Sequence, residues 1–310
     1  MTPMLANPLE IGLAKHDNQW LRVINEGYTM EPKLDGMRLL LSFNQHGRLH
    51  AAYTRSGRDV IDMIPNTWKA DCPELPSWTL LDCEFGYAEA NFIGIDFNQT
   101  MRVMGSGPEV AQLKARDISY PPTAFVFDIL MADDSWVCDR PQAWRRDMLL
   151  SVHALRQGWP YLQATSSEPW WDEEKYTAYV DLGGEGVMLK NPAAPYIRGK
   201  RPTQTWYKVK KFTTIDVVIT GFQEGQGKYQ GQIGAIKFGL YEEGHLTEIG
   251  QCSGMTDEVR AGMSAAQGAF MGAVMEVRYF GLTAGTPRHP QFVGMRSDKA
   301  YNECTIDQIR

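Results

Sequence analysis

The 310-residue sequence lacks the features typical of membrane-spanning and secreted proteins. It has no apolar run close to the roughly 20 residues that a membrane-spanning helix needs. The segment from Met1 to Trp20 has neither a basic cluster nor an apolar core followed by a small-residue cleavage site, so it does not resemble a secretory signal. We therefore expect a cytoplasmic protein with no membrane partner.

The five cysteines are too far apart in the sequence to suggest a disulfide framework or a zinc site. Both kinds of site are marked by closer partners, and the sequence has no C-x-x-C pair. We therefore expect these cysteines to be reduced and structural. The sequence also has no low-complexity segment and no repeat of fixed period, so nothing indicates a repeat architecture.

Positive charge is scarce overall, with 31 Lys and Arg against 37 Asp and Glu and a net charge of −6. Binding to phosphates depends on where positive charge lies rather than on the net value. Between residues 196 and 212 there are six basic residues and no acid: Arg198, Lys200, Arg201, Lys208, Lys210 and Lys211. A basic run alone favours a solvated surface, so its meaning depends on the other motifs.

The first two thirds of the chain alternate short apolar runs with polar turns. The apolar runs predict strands at 38–43, at 47–55 after a turn, at 79–87 and at 123–131. Helical spacing of apolar residues predicts one helix that begins at Pro141 and includes Trp144, and another at 167–182. We therefore predict an α+β domain of antiparallel sheets with flanking helices over residues 1–212.

After Phe212 the pattern changes to short strands around a glycine-rich segment at 225–231. Strands are predicted at 215–222, 235–241, 246–252 and 273–280, with a hairpin turn at Glu242-Glu243-Gly244. Thr256 begins the one predicted helix, because a hydroxyl cap is followed by two acids. Short strands with one helix indicate a small β-barrel of the OB type over residues 213–310.

A lysine that could act as a nucleophile lies just before the first predicted strand, in Glu31-Pro32-Lys33-Leu34-Asp35-Gly36-Met37-Arg38. A lysine attacks only when unprotonated, and its ordinary pKa is far above neutrality, so such a residue needs burial, cations or a metal nearby. Gly36 permits a tight turn that presents Lys33 to a pocket. K-x-D-G alone is a weak signal, since a solvated loop fits it equally well.

Several later segments contribute carboxylates, an aromatic ring and lysines at the ends of apolar strands. They are Glu84 in L-D-C-E, Phe127 in F-V-F-D, Glu185 in E-G-V-M-L-K, and Lys208 and Lys210 in W-Y-K-V-K. The period of two puts the last two lysines on one face of a strand, where a polyphosphate would satisfy them. Taken singly, each residue favours an ordinary role in the core, at the surface or at a sheet edge.

Taken in order, these motifs resemble the covalent nucleotidyltransferase superfamily, which comprises ATP-dependent DNA ligases, RNA ligases and mRNA-capping enzymes. The resemblance implies that Lys33 carries AMP and that Asp35 and Arg38 orient it or contact ribose and phosphate. Arg38 and Arg55 are implied to hold ribose or the substrate 5′-phosphate. Glu31 lies where ligases often read the adenine.

The same resemblance assigns roles to the later residues. Glu84 is implied to contact ribose or a metal, and Phe127 to stack on adenine. Glu185 is implied to support a catalytic metal, while Lys208 and Lys210 grip the phosphates. The implied cofactors are ATP and Mg²⁺.

The end of the chain resembles DNA ligases in particular. Arg296-Ser297-Asp298-Lys299 matches the terminal Arg-x-Asp-Lys motif of their OB domain, in which Arg296 and Lys299 would contact ATP and orient pyrophosphate for departure. With about thirty residues before the lysine motif, the chain looks like a minimal ligase of the phage and bacterial type. The resemblance covers the sequence from Glu31 to Lys299.

The predicted function is therefore sealing of nicks in double-stranded DNA by an ATP-dependent DNA ligase, acting as a monomer by analogy with ligases of this build. An RNA ligase or a capping enzyme remains an alternative, although the Arg-x-Asp-Lys ending disfavours most RNA ligases. A non-catalytic nucleic-acid-binding protein is a further alternative. The intact lysines and glutamates disfavour it, because a degenerate relative would be expected to lose some of them. NAD⁺ is disfavoured as AMP donor, because no preceding segment offers tyrosines and aspartates for nicotinamide.

Overall fold

The computed structural model describes residues 2–11, 16–64, 72, 74–88, 95–120, 122–152, 155, 161–283 and 285–310. The chain divides into two compact units, Met1–Lys210 and Lys211–Arg310. In the part of the chain that the structure describes, no helix is long and apolar enough to cross a membrane.

The first unit is built on two sheets. Its strands are β1 (Asn7–Pro8), β2 (Thr29–Pro32), β3 (Met37–Phe43), β4 (Leu49–Thr54), β5 (Thr79–Ala88), β6 (Ile95–Asp96), β7 (Pro122–Ala132), β8 (Ser135–Trp136), β9 (Leu162–Ala164), β10 (Gly186–Lys190) and β11 (Trp206–Lys210). The larger sheet has the order β4-β3-β5-β7-β8, with β6 paired to β5 and β9 to β7. The smaller sheet has the order β1-β11-β10-β2. The strands predicted at 38–43, 47–55, 79–87 and 123–131 are confirmed as β3, β4, β5 and β7.

Both faces of the larger sheet are buried, which explains the unbroken apolar run of β3. Side chains alternate along a strand. Leu39 and Leu41 therefore enter one core cluster, while Leu40 enters another with Met4 and Trp206. This second cluster joins the two sheets of the unit.

The helices of the first unit are α1 (Asp17–Asn25), α2 (Phe97–Met104), α3 (Pro108–Arg116), α4 (Gln142–Ser151) and α5 (Glu173–Asp181), and Ile61–Met63 forms a 3-10 turn. Pro141 precedes α4 as predicted, but Trp144 is 38% exposed, and the buried face contains Arg145 and Leu149 instead. The helix predicted from residue 167 begins only at Glu173, because the Asp172 side chain caps it by accepting from the Lys175 N–H at 3.0 Å.

The second unit contains β12 (Thr213–Glu224), β13 (Ile233–Glu242), β14 (His245–Cys252), β15 (Val274–Tyr279), β16 (Leu282–Thr283), β17 (Thr286–Pro287), β18 (Gln291–Met295), α6 (Asp257–Ala265), α7 (Gln267–Phe270) and 3-10 turns at Gly227–Tyr229, Tyr301–Glu303 and Ile306–Ile309. Its sheet order is β14-β13-β12-β15-β18, and a parallel bridge between Ser253 and Gln291 joins the two edges. Joining the edges closes the sheet into a barrel.

Local signals in the second unit are confirmed. Glu243 and Gly244 form a two-residue hairpin turn with φ of 51° and 81°, which favours glycine at the second position. The Thr256 side chain caps α6 by accepting from the Val259 N–H at 3.2 Å.

Candidate active site

A cavity of about 660 Å³ is lined by residues from both sheets of the first unit. A cavity of this size accommodates a small organic ligand. Predicted site residues are concentrated in its wall: Glu31, Lys33, Arg38, Arg55, Glu84, Phe127 and Lys208. Asp35, Glu185 and Lys210 are not among the lining residues.

Lys33 lies in the turn between β2 and β3. Its backbone N–H donates to the Gly186 carbonyl at 2.8 Å, which fixes the turn against β10. Gly36 is required by close packing, since a Cβ at this position would lie 2.6 Å from the Phe85 carbonyl oxygen. Its N–H also donates to Glu84 Oε1 at 3.1 Å. Gly36 was expected to permit a tight turn, and its close contact with β5 is a second reason for a glycine at this position.

Glu185 pairs with two lysines. One carboxylate oxygen is bound by the Lys33 ammonium, and the other lies 2.5 Å from Lys210 Nζ. Burial opposes ionisation of Glu185, but Lys33 and Lys210 outweigh it and lower the pKa of the carboxyl. The predicted nucleophile, carboxylate and second lysine therefore form one cluster. Asp35 lies two residues after Lys33, in the same turn between β2 and β3.

Lys208 lies beside this cluster and lines the cavity together with Arg201. Burial lowers the pKa of Lys208, and the positive charges of Lys210, Lys33 and Arg201 lower it further. Such mutual repulsion among cations would be relieved by a bound anion. Arg55 reaches the same cavity from the exposed turn after β4.

Arg38 is held by partners that the sequence did not reveal. Its guanidinium forms a bidentate pair with Asp82, at 2.9 and 2.6 Å, and Asp82 is fully buried. It also donates to the Met4 carbonyl at 2.8 Å and to the Tyr196 hydroxyl at 3.2 Å. Its carbon Cζ lies 5.2 Å from the centroid of the Phe127 ring. Arg38 is therefore a fixed part of the cavity wall.

Glu31 is buried and only half satisfied. Its Oε2 accepts from Lys190 Nζ at 2.8 Å and from the Thr165 hydroxyl at 2.9 Å. Its Oε1 has no hydrogen-bond partner within the described residues. A buried acceptor without a donor is costly, so a ligand with an N–H group would be favoured here.

Glu84 and Phe127 line the same cavity from β5 and β7. Burial raises the pKa of Glu84 from 4.5 to about 7, against the opposing charges of Lys33 and Arg38. The Phe127 ring packs edge-on against Trp206 at 6.0 Å, and Lys190 Nζ lies 4.9 Å from its centroid. Phe127 is half-buried, as a ring that receives a ligand must be.

A metal ion would need ligands beyond the protein. In the described part of the chain, no group of three or more His, Cys, Asp or Glu side chains is arranged to hold one. Glu84 and Glu185 are single carboxylates, and Glu185 is engaged by two lysines. This donor set fits Mg²⁺, which keeps several waters and binds through one or two carboxylates plus substrate phosphates.

Arg296 and Lys299 belong to the second unit, where both bind one carboxylate. Arg296 Nη1 lies 3.0 Å from Asp216 Oδ1, and Lys299 Nζ lies 2.5 Å from Asp216 Oδ2. Arg296 also forms a bidentate pair with Asp298 at 2.9 Å. The two cations of the terminal motif are thus held side by side.

Two family models match the chain, one in each unit. A model of the ATP-dependent DNA ligase domain matches residues 3–210, and a model of the DNA ligase OB-like domain matches residues 224–296. The chain belongs to the ATP-dependent DNA ligase family. The predicted family and fold class are therefore confirmed, and this ligase-family chain comprises an adenylation-type fold followed by an OB-like barrel.

Similar proteins include one longer ligase and two chains of about the same length. The DNA ligase of Methanoculleus marisnigri is 29% identical over 97% of this chain, which spans 58% of that protein. The solved structure of a Lig E DNA ligase shares the fold with a TM-score of 0.66 and 21% identity, covering 96% of this chain and 99% of that one. The ligase domain of Mycobacterium tuberculosis LigD has a TM-score of 0.55 and 24% identity, with 98% of each chain covered. The RNA-ligase, capping-enzyme and binding-protein alternatives are not favoured by these matches.

Three residues that contact the predicted site residues of this ligase-family chain were not predicted from the sequence. Asp82 and Tyr196 bind Arg38, and Lys190 pairs with Glu31. One signal was available for Asp82, since the period of two puts it on the same face of β5 as Glu84. Lys190 is the last residue of E-G-V-M-L-K, and that motif gives no indication of its pairing with Glu31. Tyr196 had no signal, because its partners are distant in sequence.

Proposed function

We propose that this chain is an ATP-dependent DNA ligase that seals nicks in double-stranded DNA. The observation that carries the proposal is the position of Lys33, which lines a nucleotide-sized cavity and pairs with Glu185. Residues 1–212 would act as the adenylation domain and residues 213–310 as the OB domain, in a monomer.

The proposed reaction has three phosphoryl transfers. Unprotonated Lys33 Nζ attacks the α-phosphorus of ATP, the bond to pyrophosphate breaks, and Nζ loses a proton to solvent, which leaves a lysyl-AMP phosphoramidate. An oxygen of the 5′-phosphate at the nick then attacks the AMP phosphorus, the P–N bond breaks, and Lys33 takes up a proton and leaves as the amine. The adjacent 3′-hydroxyl finally attacks the activated 5′-phosphate, loses its proton and displaces AMP. Positioning and charge neutralisation contribute most of the catalysis in such steps.

The cavity wall supports specific roles for the nucleotide-binding residues. Glu31 Oε1, which has no partner in the described part of the chain, would accept from the adenine amino group, whereas guanine presents a carbonyl oxygen there. Phe127 would stack on the base, and Glu84 would bind ribose. Arg38 and Arg55 would hold ribose or the 5′-phosphate of the nick.

The phosphate side of the cavity is basic. Lys208 and Lys210 would bind the phosphates, with Asp35 orienting the turn that carries Lys33. Glu185 and Glu84 would help to hold Mg²⁺, which would neutralise phosphate charge when bound. Arg296 and Lys299 would orient pyrophosphate for departure.

The test is to incubate the protein with α-labelled ATP and Mg²⁺, and then with nicked duplex DNA. We expect label on the wild type, discharged into sealed DNA, and none on Lys33→Ala. Lys175→Ala is the matched control, because Lys175 is an exposed lysine on α5, and it should behave as the wild type.

Each other outcome has a defined meaning. Label on the protein without sealing of DNA would indicate that the substrate is RNA or an mRNA cap instead of nicked DNA. Label from GTP as efficient as from ATP would contradict the role of Glu31. Absence of label with every nucleotide would overturn the proposal.

A further inference from the structure

The hydroxyl of Tyr196 connects Arg38 with the start of the described chain. It donates to Asp82 Oδ2 at 2.5 Å and accepts from the backbone N–H of Met4 at 2.9 Å. It also accepts from Arg38 Nη2 at 3.2 Å. One donor and two acceptor positions are all that a hydroxyl offers, so this group is fully used.

The N-terminal segment, residues 2–8, is bound along the edge that carries Tyr196. The Gly199 N–H donates to the Thr2 carbonyl, and the Leu5 N–H donates to the Lys200 carbonyl, both at 2.8 Å. Asn7 Nδ2 donates to the Pro202 carbonyl at 2.7 Å. Met4 is fully buried in the cluster that joins the two sheets.

This segment forms part of the cavity. Leu5 and Ala6 line its wall, directly after the residue whose carbonyl accepts from Arg38 Nη1. The residues that bind this segment, 199–202, lie between β10 and β11 and include Arg201, which also lines the cavity. Loosening the segment would therefore change the wall beside Arg38.

The hydrogen bonds of Arg38 leave it little freedom. A guanidinium has five N–H groups, and four of them bind Asp82, Tyr196 and Met4. The remaining N–H, on Nη1, has no partner within the described residues. The orientation of that single donor depends on the groups that hold the other four.

We propose that Tyr196 is a positioning residue for Arg38, a role that rests on the proposed function. Its hydroxyl aligns Asp82 and anchors the N-terminal segment, and together they direct the remaining N–H of Arg38 at the bound substrate. Loss of the hydroxyl leaves the buried Met4 N–H unpaired and removes one support of Arg38. We therefore expect substitution at Tyr196 to affect catalysis through Arg38.

Tyr196→Phe is the test, because it removes one oxygen and keeps the ring that packs on Trp206 at 5.6 Å. Tyr28→Phe is the matched control. Tyr28 is buried like Tyr196, and its hydroxyl donates to the Gln204 carbonyl at 2.7 Å. Within the described residues this hydroxyl does not contact Arg38. We expect AMP transfer to Lys33 to slow about tenfold in Tyr196→Phe and to remain unchanged in Tyr28→Phe.

A double-mutant cycle separates positioning from general stability. In an Arg38→Ala background, Tyr196→Phe should cause no further slowing. Amide hydrogen exchange of the N-terminal segment should be faster in Tyr196→Phe than in the wild type or Tyr28→Phe. If Tyr196→Phe does not fold, Asn7→Ala loosens the same segment without touching Tyr196, and it too should slow AMP transfer.

Two results would overturn the inference and leave the proposed function intact. One is that the wild type is labelled and that Tyr196→Phe, or Asn7→Ala in its place, forms lysyl-AMP as fast as the wild type. The other is that Tyr196→Phe slows AMP transfer by the same factor in the Arg38→Ala background as in the wild type. Absence of label on the wild type would instead contradict the proposed function itself.

Discussion

The Lys33 ammonium forms an ion pair with the Glu185 carboxylate, although 152 residues separate them in the sequence. The pairing joins the turn after β2 to the residue that precedes β10, and β2 and β10 are neighbours in the smaller sheet. Lys210 binds the same carboxylate from β11. The ion pair therefore depends on the order β11-β10-β2.

The first prediction concerns this carboxylate. Glu185→Gln leaves Lys33 and Lys210 close together without their shared anion, so we expect AMP transfer to slow about 100-fold. Single-turnover labelling with α-labelled ATP measures the rate. Glu173→Gln on α5 is the control, and equal rates in the two variants would contradict the role of Glu185.

The second prediction is a pH dependence of stability due to Glu84. Its pKa is raised to about 7 in the folded protein, so the unfolded chain loses this proton at lower pH than the folded protein does. Its contribution to the free energy of unfolding is therefore fully present below pH 4.5 and is lost as the pH rises to about 7. Urea unfolding at pH 5 and pH 7.5 measures it.

Comparison with Glu84→Gln isolates this group, because the amide does not titrate. We expect the wild type to lose about 2 kcal/mol relative to Glu84→Gln between pH 5 and pH 7.5. A difference between the two proteins that does not change with pH would refute the prediction.

The third prediction concerns the buried pair of Asp128 and Arg145. Their side chains are 1% and 0% exposed and form two contacts at 2.7 and 2.9 Å. Asp128→Ala strands the Arg145 charge in the core, so we expect the free energy of unfolding to fall by about 3–5 kcal/mol. Lys175→Ala breaks a pair whose side chains are 54% and 38% exposed and should lower the free energy of unfolding far less, because solvent screens an exposed ion pair. Equal losses in denaturant unfolding would count against this reading.

The fourth prediction compares two glycines. Gly36→Ala puts a methyl group 2.6 Å from the Phe85 carbonyl, and we expect a loss of about 1–3 kcal/mol. AMP transfer should slow as well, because the turn that carries Lys33 must shift. Gly262→Ala in α6 meets no atom within 4 Å, and it should stabilise the protein by about 0.5–1 kcal/mol. Thermal unfolding of both variants checks the opposite signs.

Much of the fold was accessible from the sequence because its signals are local. Apolar runs bounded by turns predicted β3, β5 and β7, and a hydroxyl followed by acids predicted the start of α6. Local patterns were wrong where a distant partner decided the outcome. Arg145 lies on the buried side of α4, where Trp144 was expected, because Asp128 on β7 neutralises its charge.

Residue type and spacing were enough to identify the family and the order of the motifs, and they predict Lys33 as the nucleophile. Which charges meet depends on the fold. Glu185 bridges two lysines, Glu31 keeps one oxygen unpartnered within the described residues, and Tyr196 connects Arg38 to Met4. Such pairings follow from strand order and burial, which bring together residues with no pattern in common along the chain.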